Sequence, residues 1–124
     1  MRVLVAEDDR EMSQLFCAWL RSAGHAGIPC FDGASALMAA MRAPIPDLIV
    51  LDLSMPAGTG QVTLEKLKRS SKTTQIPVLV VSAATDDATR TEVMAMGARA
   101  FLAKPVTLDD FIAAVEASVK PKAS

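Results

Sequence analysis

The chain has 124 residues, 51% of them apolar, and its 13 basic side chains nearly balance 14 acidic ones. That length fits one domain with a real hydrophobic core, and the composition excludes a disordered chain. The balanced charge leaves no basic footprint for a nucleic-acid backbone, and no apolar stretch approaches the ~18 residues of a membrane span.

The N-terminus reads MRVLVAEDD. Carboxylates stand where a signal peptide needs its apolar region, so a cytoplasmic protein is expected. Val3–Ala6 is a first short apolar run. Met12, Leu15, Phe16, Trp19 and Leu20 then follow the i, i+3, i+4, i+7, i+8 spacing of one buried helix face. Ala26–Phe31 is a weaker strand; Pro29 within it cannot donate to a ladder, which assigns it to a sheet edge. Asp32-Gly33 opens a second helix through Leu37 and Met41, closed by Pro44. Leu48–Leu51 is the third strand. Val62, Leu64 and Leu67 mark a third helix, with Glu65, Lys66, Lys68 and Arg69 on its exposed side. Val78–Val81 follows, then a helix that Asp86 or Asp87 can cap and Gly97 ends. After Ala100–Ala103, Thr107 begins a fifth helix with Leu108, Phe111, Ile112 and Val115 inward. Asp109 and Asp110 favour its positive end, and Pro121 stops it.

Four of the strand runs are continuous rather than alternating, as parallel strands covered on both faces should be. Five β-α units with right-handed crossovers give an α/β, doubly wound sheet with helices on both faces. Nothing before Lys120-Pro121-Lys122-Ala123-Ser124 looks like a linker, a repeat or a low-complexity segment. Cys17 and Cys30, widely spaced and without Cys/His company, read as small buried hydrophobes. The single histidine, His25, sits where a helix ends, and one histidine makes a His-rich metal site or a hydrolase triad improbable.

In open α/β sheets, ligands bind beyond the carboxyl ends of the strands. There the chain places Glu7-Asp8-Asp9, Asp52, Ser82-Ala83-Ala84 and Lys104-Pro105. Taken singly, each has a plain structural use. Asp8 or Asp9 can cap a helix, Ser82 can form a turn, Lys104 can be a solvated charge, and Phe101 can be core. Asp52 is different, because an acid directly after Leu48–Leu51 costs several kcal/mol unless it is paired or binds metal. Clustered carboxylates repel until a cation joins them. A hard divalent ion such as Mg²⁺, with oxygens at ~2.0–2.1 Å, needs only one or two carboxylates plus a phosphate. A carboxylate can also attack phosphorus, while a metal and a lysine neutralise the phosphoryl charge. Asp52 therefore reads as a metal-supported phosphate acceptor.

VLVAEDD, LIVLDLSMPAGTG, PVLVVSA and GARAFLAKP, in this order and at these intervals, closely resemble the receiver domain of two-component response regulators, chemotaxis regulators included. The resemblance runs from Arg2 to about Val119. It implies a (βα)5 sandwich whose five parallel strands lie in the order 2-1-3-4-5. It makes residues 1–120 one receiver domain and 121–124 a C-terminal tail or the start of a linker. It implies that Asp52 is the phosphorylated aspartate, that Asp8 binds Mg²⁺ directly (Mn²⁺ can substitute), and that Glu7 does so through water. Asp9 would cap the helix. By the same resemblance the Ser54 backbone carbonyl would complete the metal site, Ser82 would be the switch hydroxyl, Phe101 the aromatic that rotates inward, and Lys104 the lysine that pairs with phosphate. The Lys104-Pro105 bond is cis in similar domains. The implied phosphodonor is a sensor histidine kinase or a histidine phosphotransfer protein. A downstream effector or output domain would read the face of the fourth helix, fifth strand and fifth helix, around Ala88–Met96, Phe101 and Val106–Phe111. No nucleic acid or membrane contact is implied for this domain. The resemblance implies a signalling phosphoprotein and not an enzyme, its only catalysis being its own phosphotransfer and dephosphorylation.

The chain also departs from the family's pattern. Gly58 and Thr59 stand where similar domains often carry a larger apolar residue and an acid or amide, so a looser loop after Asp52 and unusual partner recognition are expected. Ala84 and the small Ser54 leave space near the acceptor, so attacking water should reach it. KPVTLDDFIAAV lacks the basic, arginine-bearing pattern of receivers that dimerise through this face, and such a dimer is not expected. A phosphate-independent pseudo-receiver is the main alternative, opposed by the complete set Asp8, Asp52, Ser82 and Lys104. A haloacid-dehalogenase-like phosphohydrolase would need an aspartate where Ser54 stands. A flavodoxin-like flavin carrier would need a Ser/Thr/Gly loop where Glu7-Asp8-Asp9 stands.

Overall fold

The protein is described from a computed structural model, covering residues 1–55, 60–83 and 86–120. The expectations for Pro56, Gly58, Thr59, Ala84, Pro121 and the 121–124 segment lie outside the described residues. The elements alternate as β1 (Arg2–Ala6), α1 (Arg10–Ser22), β2 (Ala26–Cys30), α2 (Gly33–Met41), β3 (Leu48–Asp52), α3 (Gly60–Arg69), β4 (Val78–Ser82), α4 (Asp87–Ala95), β5 (Ala100–Ala103) and α5 (Leu108–Ser118). All strand pairs are parallel, and the order β2-β1-β3-β4-β5 leaves β2, with its Pro29, at an edge. This is the doubly wound α/β arrangement that the sequence implies.

Side-chain alternation along the strands divides the core into two layers. Leu4, Ala6, Ile49, Leu51, Val78 and Val80 face Ala36, Ala40, Leu64, Leu67 and Val93 of α2, α3 and α4. Val3, Val5, Leu48, Val50, Leu79 and Val81 face Phe16 and Leu20 of α1 and Phe111 and Val115 of α5. Phe16 stacks on Phe111 at 4.5 Å between ring centroids, and Trp19 tilts against both rings, tying α1 to α5.

Helix starts follow local capping chemistry. The Asp9 carboxylate accepts from the backbone N–H of Glu11 and Met12, Asp32 from Ser35, Asp86 from Thr89, and the Thr107 hydroxyl from Asp110. Asp86, not Asp87, is thus the cap of α4. At the other end of that helix Gly97 has φ +109°, a left-handed conformation that a Cβ resists.

Three residues assigned to buried faces are exposed: Leu15 (41%), Val62 (42%) and Leu108 (41%). Val62 is two positions from Leu64, and residues so spaced do not share a helix face. Gly60, Thr63, Leu64 and Leu67 form the buried stripe of α3 instead. Leu15 flanks the Phe16–Leu20 stripe, where Ser13 is buried in its place. Leu108 is the first residue of α5, a turn before the buried Phe111.

Cys30 is buried and Cys17 half-buried, both are free thiols, and burial pushes both thiols up. His25 follows α1, with Nε2 3.2 Å from Glu116 Oε2 on α5 and Nδ1 3.1 Å from the Met1 amine. No helix among the described residues is long and apolar enough to cross a membrane.

Candidate functional site

The carboxyl ends of β1, β3, β4 and β5 lie in register. Ala6 pairs with Leu51, Asp52 with Val81, and Ser82 with Ala103. The last residues of β3 and β4 and the residues just after β1 and β5 are thereby brought to the same end of the sheet. Glu7 follows β1 directly, held by its N–H on the Cys30 carbonyl at 3.0 Å, and is only 1% exposed. Asp8 is exposed, and Asp9 turns away to cap α1. Asp52, the last residue of β3, is buried at 3% exposure, and its Oδ1 accepts the Ser54 N–H at 3.3 Å. Ser82 ends β4, also buried, and its carbonyl accepts the Lys104 N–H at 2.9 Å. The Lys104-Pro105 bond is cis, as expected from the sequence.

Glu7, Asp8 and Asp52 each offer a carboxylate oxygen, and the three atoms lie within 4.8 Å of one another. Lys104 provides the opposing charge. Its Nζ donates to Glu7 Oε1 at 2.7 Å and stands 3.7 Å from Asp52 Oδ1. Burial pushes the Glu7 carboxyl up to about 7, with the Asp52 charge adding to the rise and the Lys104 hydrogen bond opposing it. For Lys104, burial works against the charged form. The Glu7 hydrogen bond and the charges of Asp52, Glu7 and Asp8 outweigh it and raise the ammonium above its ordinary value. A cluster of hard carboxylate oxygens suits a hard divalent cation such as Mg²⁺ or Mn²⁺, so the donor set fits that kind of ion.

Phe101 is not at the carboxylates. It is half-buried three residues before Lys104, packs against the α2–α4 side of the core, and carries the Arg90 guanidinium of α4 5.8 Å from its ring.

The family model for the response regulator receiver domain matches residues 3–116. The chain belongs to that family.

This receiver domain is 31% identical over 119 residues to the phosphate regulon transcriptional regulatory protein PhoB of Escherichia coli K12, covering 96% of this chain and 52% of that one. It thus spans about half the length of the curated relatives it matches. Among solved structures, the Francisella response regulator 1452 receiver domain superposes with a TM-score of 0.87 at 29% identity, covering 95% of each chain. Chemotaxis protein CheY4 of Vibrio cholerae has a TM-score of 0.87 at 26% identity, covering 94% of this chain and 97% of that one.

Two features of the site escaped the sequence reading. One is the Glu7–Lys104 ion pair. The other is Gly60, the first residue of α3, whose N–H donates to the Leu53 carbonyl at 3.0 Å. A Cβ there would fall 2.2 Å from Leu53 Cα and 2.7 Å from the Asp52 carbonyl oxygen, so only glycine lets α3 start against the backbone that carries Asp52. The available signal was the closing glycine of LIVLDLSMPAGTG, eight residues after the acid.

Proposed function

We propose that this receiver domain is a phosphorylation-dependent switch that takes a phosphoryl group on Asp52 from a histidine kinase or a histidine phosphotransfer protein. The observation that carries the reading is the convergence of Glu7, Asp8 and Asp52 within 4.8 Å, with the Lys104 ammonium among them. In the transfer, an Asp52 carboxylate oxygen forms a bond to phosphorus as the donor's P–N bond breaks. The electron pair departs on the imidazole nitrogen, and a proton on the other ring nitrogen leaves the donor ring neutral. The Ser54 N–H orients the Asp52 carboxylate, and Lys104 moves the short distance from Glu7 to the phosphoryl oxygens.

Asp8, Asp52 and the Ser54 backbone carbonyl would hold the metal directly. Glu7, already engaged by Lys104, suits contact through water. When bound, Mg²⁺ (or Mn²⁺) supplies positive charge against the phosphoryl oxygens. Ser82 and Phe101 then adjust to the phosphoryl group, which shifts the population toward an arrangement of the α4–β5–α5 face that an effector or output domain reads. The domain turns over no external substrate as an enzyme; its catalysis is limited to its own phosphorylation and dephosphorylation. Residues 1–120 form the switch, and 121–124 serve as a tail or begin a linker. A cytoplasmic setting, with no nucleic acid or membrane contact by this domain, completes the proposal.

The test is intact mass after incubation with Mg²⁺ and acetyl phosphate, with Asp52→Asn in parallel. One added phosphoryl group, labile to mild base and absent from the variant, supports the reading. No addition here or from a histidine phosphotransfer protein, with Mg²⁺ shown to bind, would make the domain a phosphate-independent adaptor.

A further inference from the structure

At the end of the sheet opposite the carboxylates lies a cavity of about 290 Å³, lined by Arg2, Leu4, Ile28, Ala39, Arg42, Ala43, Pro44 and Pro46. Leu4 is 2% exposed, so the cavity reaches down to a core side chain of β1. Ile28 of β2 and Ala39 of α2 extend this apolar lining, and Pro44 and Pro46 fix the adjoining backbone, which keeps the shape preformed. The two charged lining residues are arginines. Among the described residues no carboxylate pairs with either guanidinium. The nearest acid in sequence, Asp47, is engaged otherwise, its Oδ2 accepting the Arg2 backbone N–H at 2.8 Å. Arg2 opens β1 and Asp47 precedes β3, so the arginine end of this cavity lies about a strand length, roughly 16 Å, from Glu7 and Asp52, while its floor at Leu4 is three residues, roughly 10 Å, from Glu7.

An apolar pocket with a few convergent polar groups is the usual form of a small-ligand site, and this volume is near the lower end of the range of about 300–1,000 Å³. Guanidinium groups match carboxylates in geometry and charge and are weakly hydrated, so little is lost on pairing them. The geometry points to a second binding site, one that takes a small organic carboxylate with a short apolar body, the body against Leu4, Ile28 and Ala39 and the carboxylate between Arg2 and Arg42. The inference is independent of phosphoryl transfer at Asp52.

Titration of ¹⁵N-labelled protein with hexanoate, hexanamide and acetate, followed by amide chemical shifts, tests it. Hexanoate should give saturable shifts centred on Arg2, Leu4, Ile28, Ala39 and Arg42. Its affinity should exceed that of either control by about tenfold or more, as expected for losing a charge-assisted bond or the buried methylenes. Arg2→Gln with Arg42→Gln should abolish the preference over hexanamide while leaving a dispersed spectrum. If the double variant fails to fold, each single variant should lose part of that preference. Ala39→Leu, which fills the cavity, should block hexanoate. Equal binding of hexanoate and hexanamide would reduce the cavity to a greasy crevice. Equal binding of acetate would reduce it to a bare anion contact. Shifts elsewhere, or none, would overturn the site altogether.

Discussion

Lys104 reaches Glu7, 97 residues away in the chain, and their side chains meet at 2.7 Å. Asp52, at 3.7 Å, is the more distant carboxylate. In this state the lysine is held by a buried partner, and its neighbour Asp52 takes its hydrogen bond from the Ser54 backbone. The pair sets the electrostatic tone of the site, because Glu7 has almost no contact with water, and its charged form depends on Lys104 against a burial that favours the neutral acid.

That dependence has a pH signature. The Glu7 carboxyl is raised from an ordinary 4.5 to about 7 on folding, so the folded chain binds a proton that the unfolded chain has released. Stability from this group is present below about 4.5 and is lost as pH rises through about 7. With divalent metal chelated, the melting temperature should fall between about pH 5 and pH 7.5, and Glu7→Gln should flatten that slope. An unchanged slope in the variant would assign the effect to other groups. Lys104, raised above its ordinary 10.5, contributes in a separate window, its stabilisation lost only as the medium becomes more alkaline than that.

Adjacent aspartates should behave differently. Asp9 caps α1 through two backbone N–H groups, so Asp9→Ala should cost about 1 kcal/mol in urea unfolding and leave Mg²⁺ affinity nearly intact. Asp8 is exposed and crowded by Glu7 and Asp52, so Asp8→Asn should weaken Mg²⁺ binding about tenfold or more by calorimetry. Chelated, this variant should be no less stable than the parent, because a like charge has been removed. The reverse pattern would exchange the two roles.

Gly60→Ala is expected to be destabilising even though alanine is the better helix former. At this first helical position the gain in helix propensity is smaller than the ~1 kcal/mol of a helix interior. The new methyl would fall 2.2 Å from Leu53 Cα, an overlap with backbone that no side-chain rotation relieves. A net loss of about 1–3 kcal/mol is expected from equilibrium unfolding, together with amide shifts at Leu53 and Ser54. A neutral or stabilising substitution would mean that α3 can move off the end of β3 without loss.

What the sequence by itself determined was the local grammar. Continuous apolar runs such as Leu48–Leu51 announced buried parallel strands, and Pro29 marked the edge. Helix spacing with Asp32 and Thr107 at the starts set element order, while Asp52 directly after an apolar run signalled the candidate site. Each signal depends on a few neighbouring residues, which is why it can be read without a fold. The tertiary structure alone decided the rest. It chose Asp86 over Asp87 as a cap and left Val62 outside the buried stripe of α3. It also set Lys104 on Glu7 rather than on Asp52, and formed an open cavity whose lining includes Arg2 and Arg42. Those outcomes depend on distances between residues far apart in the chain. Strand register and helix packing set such distances, and no local pattern encodes them.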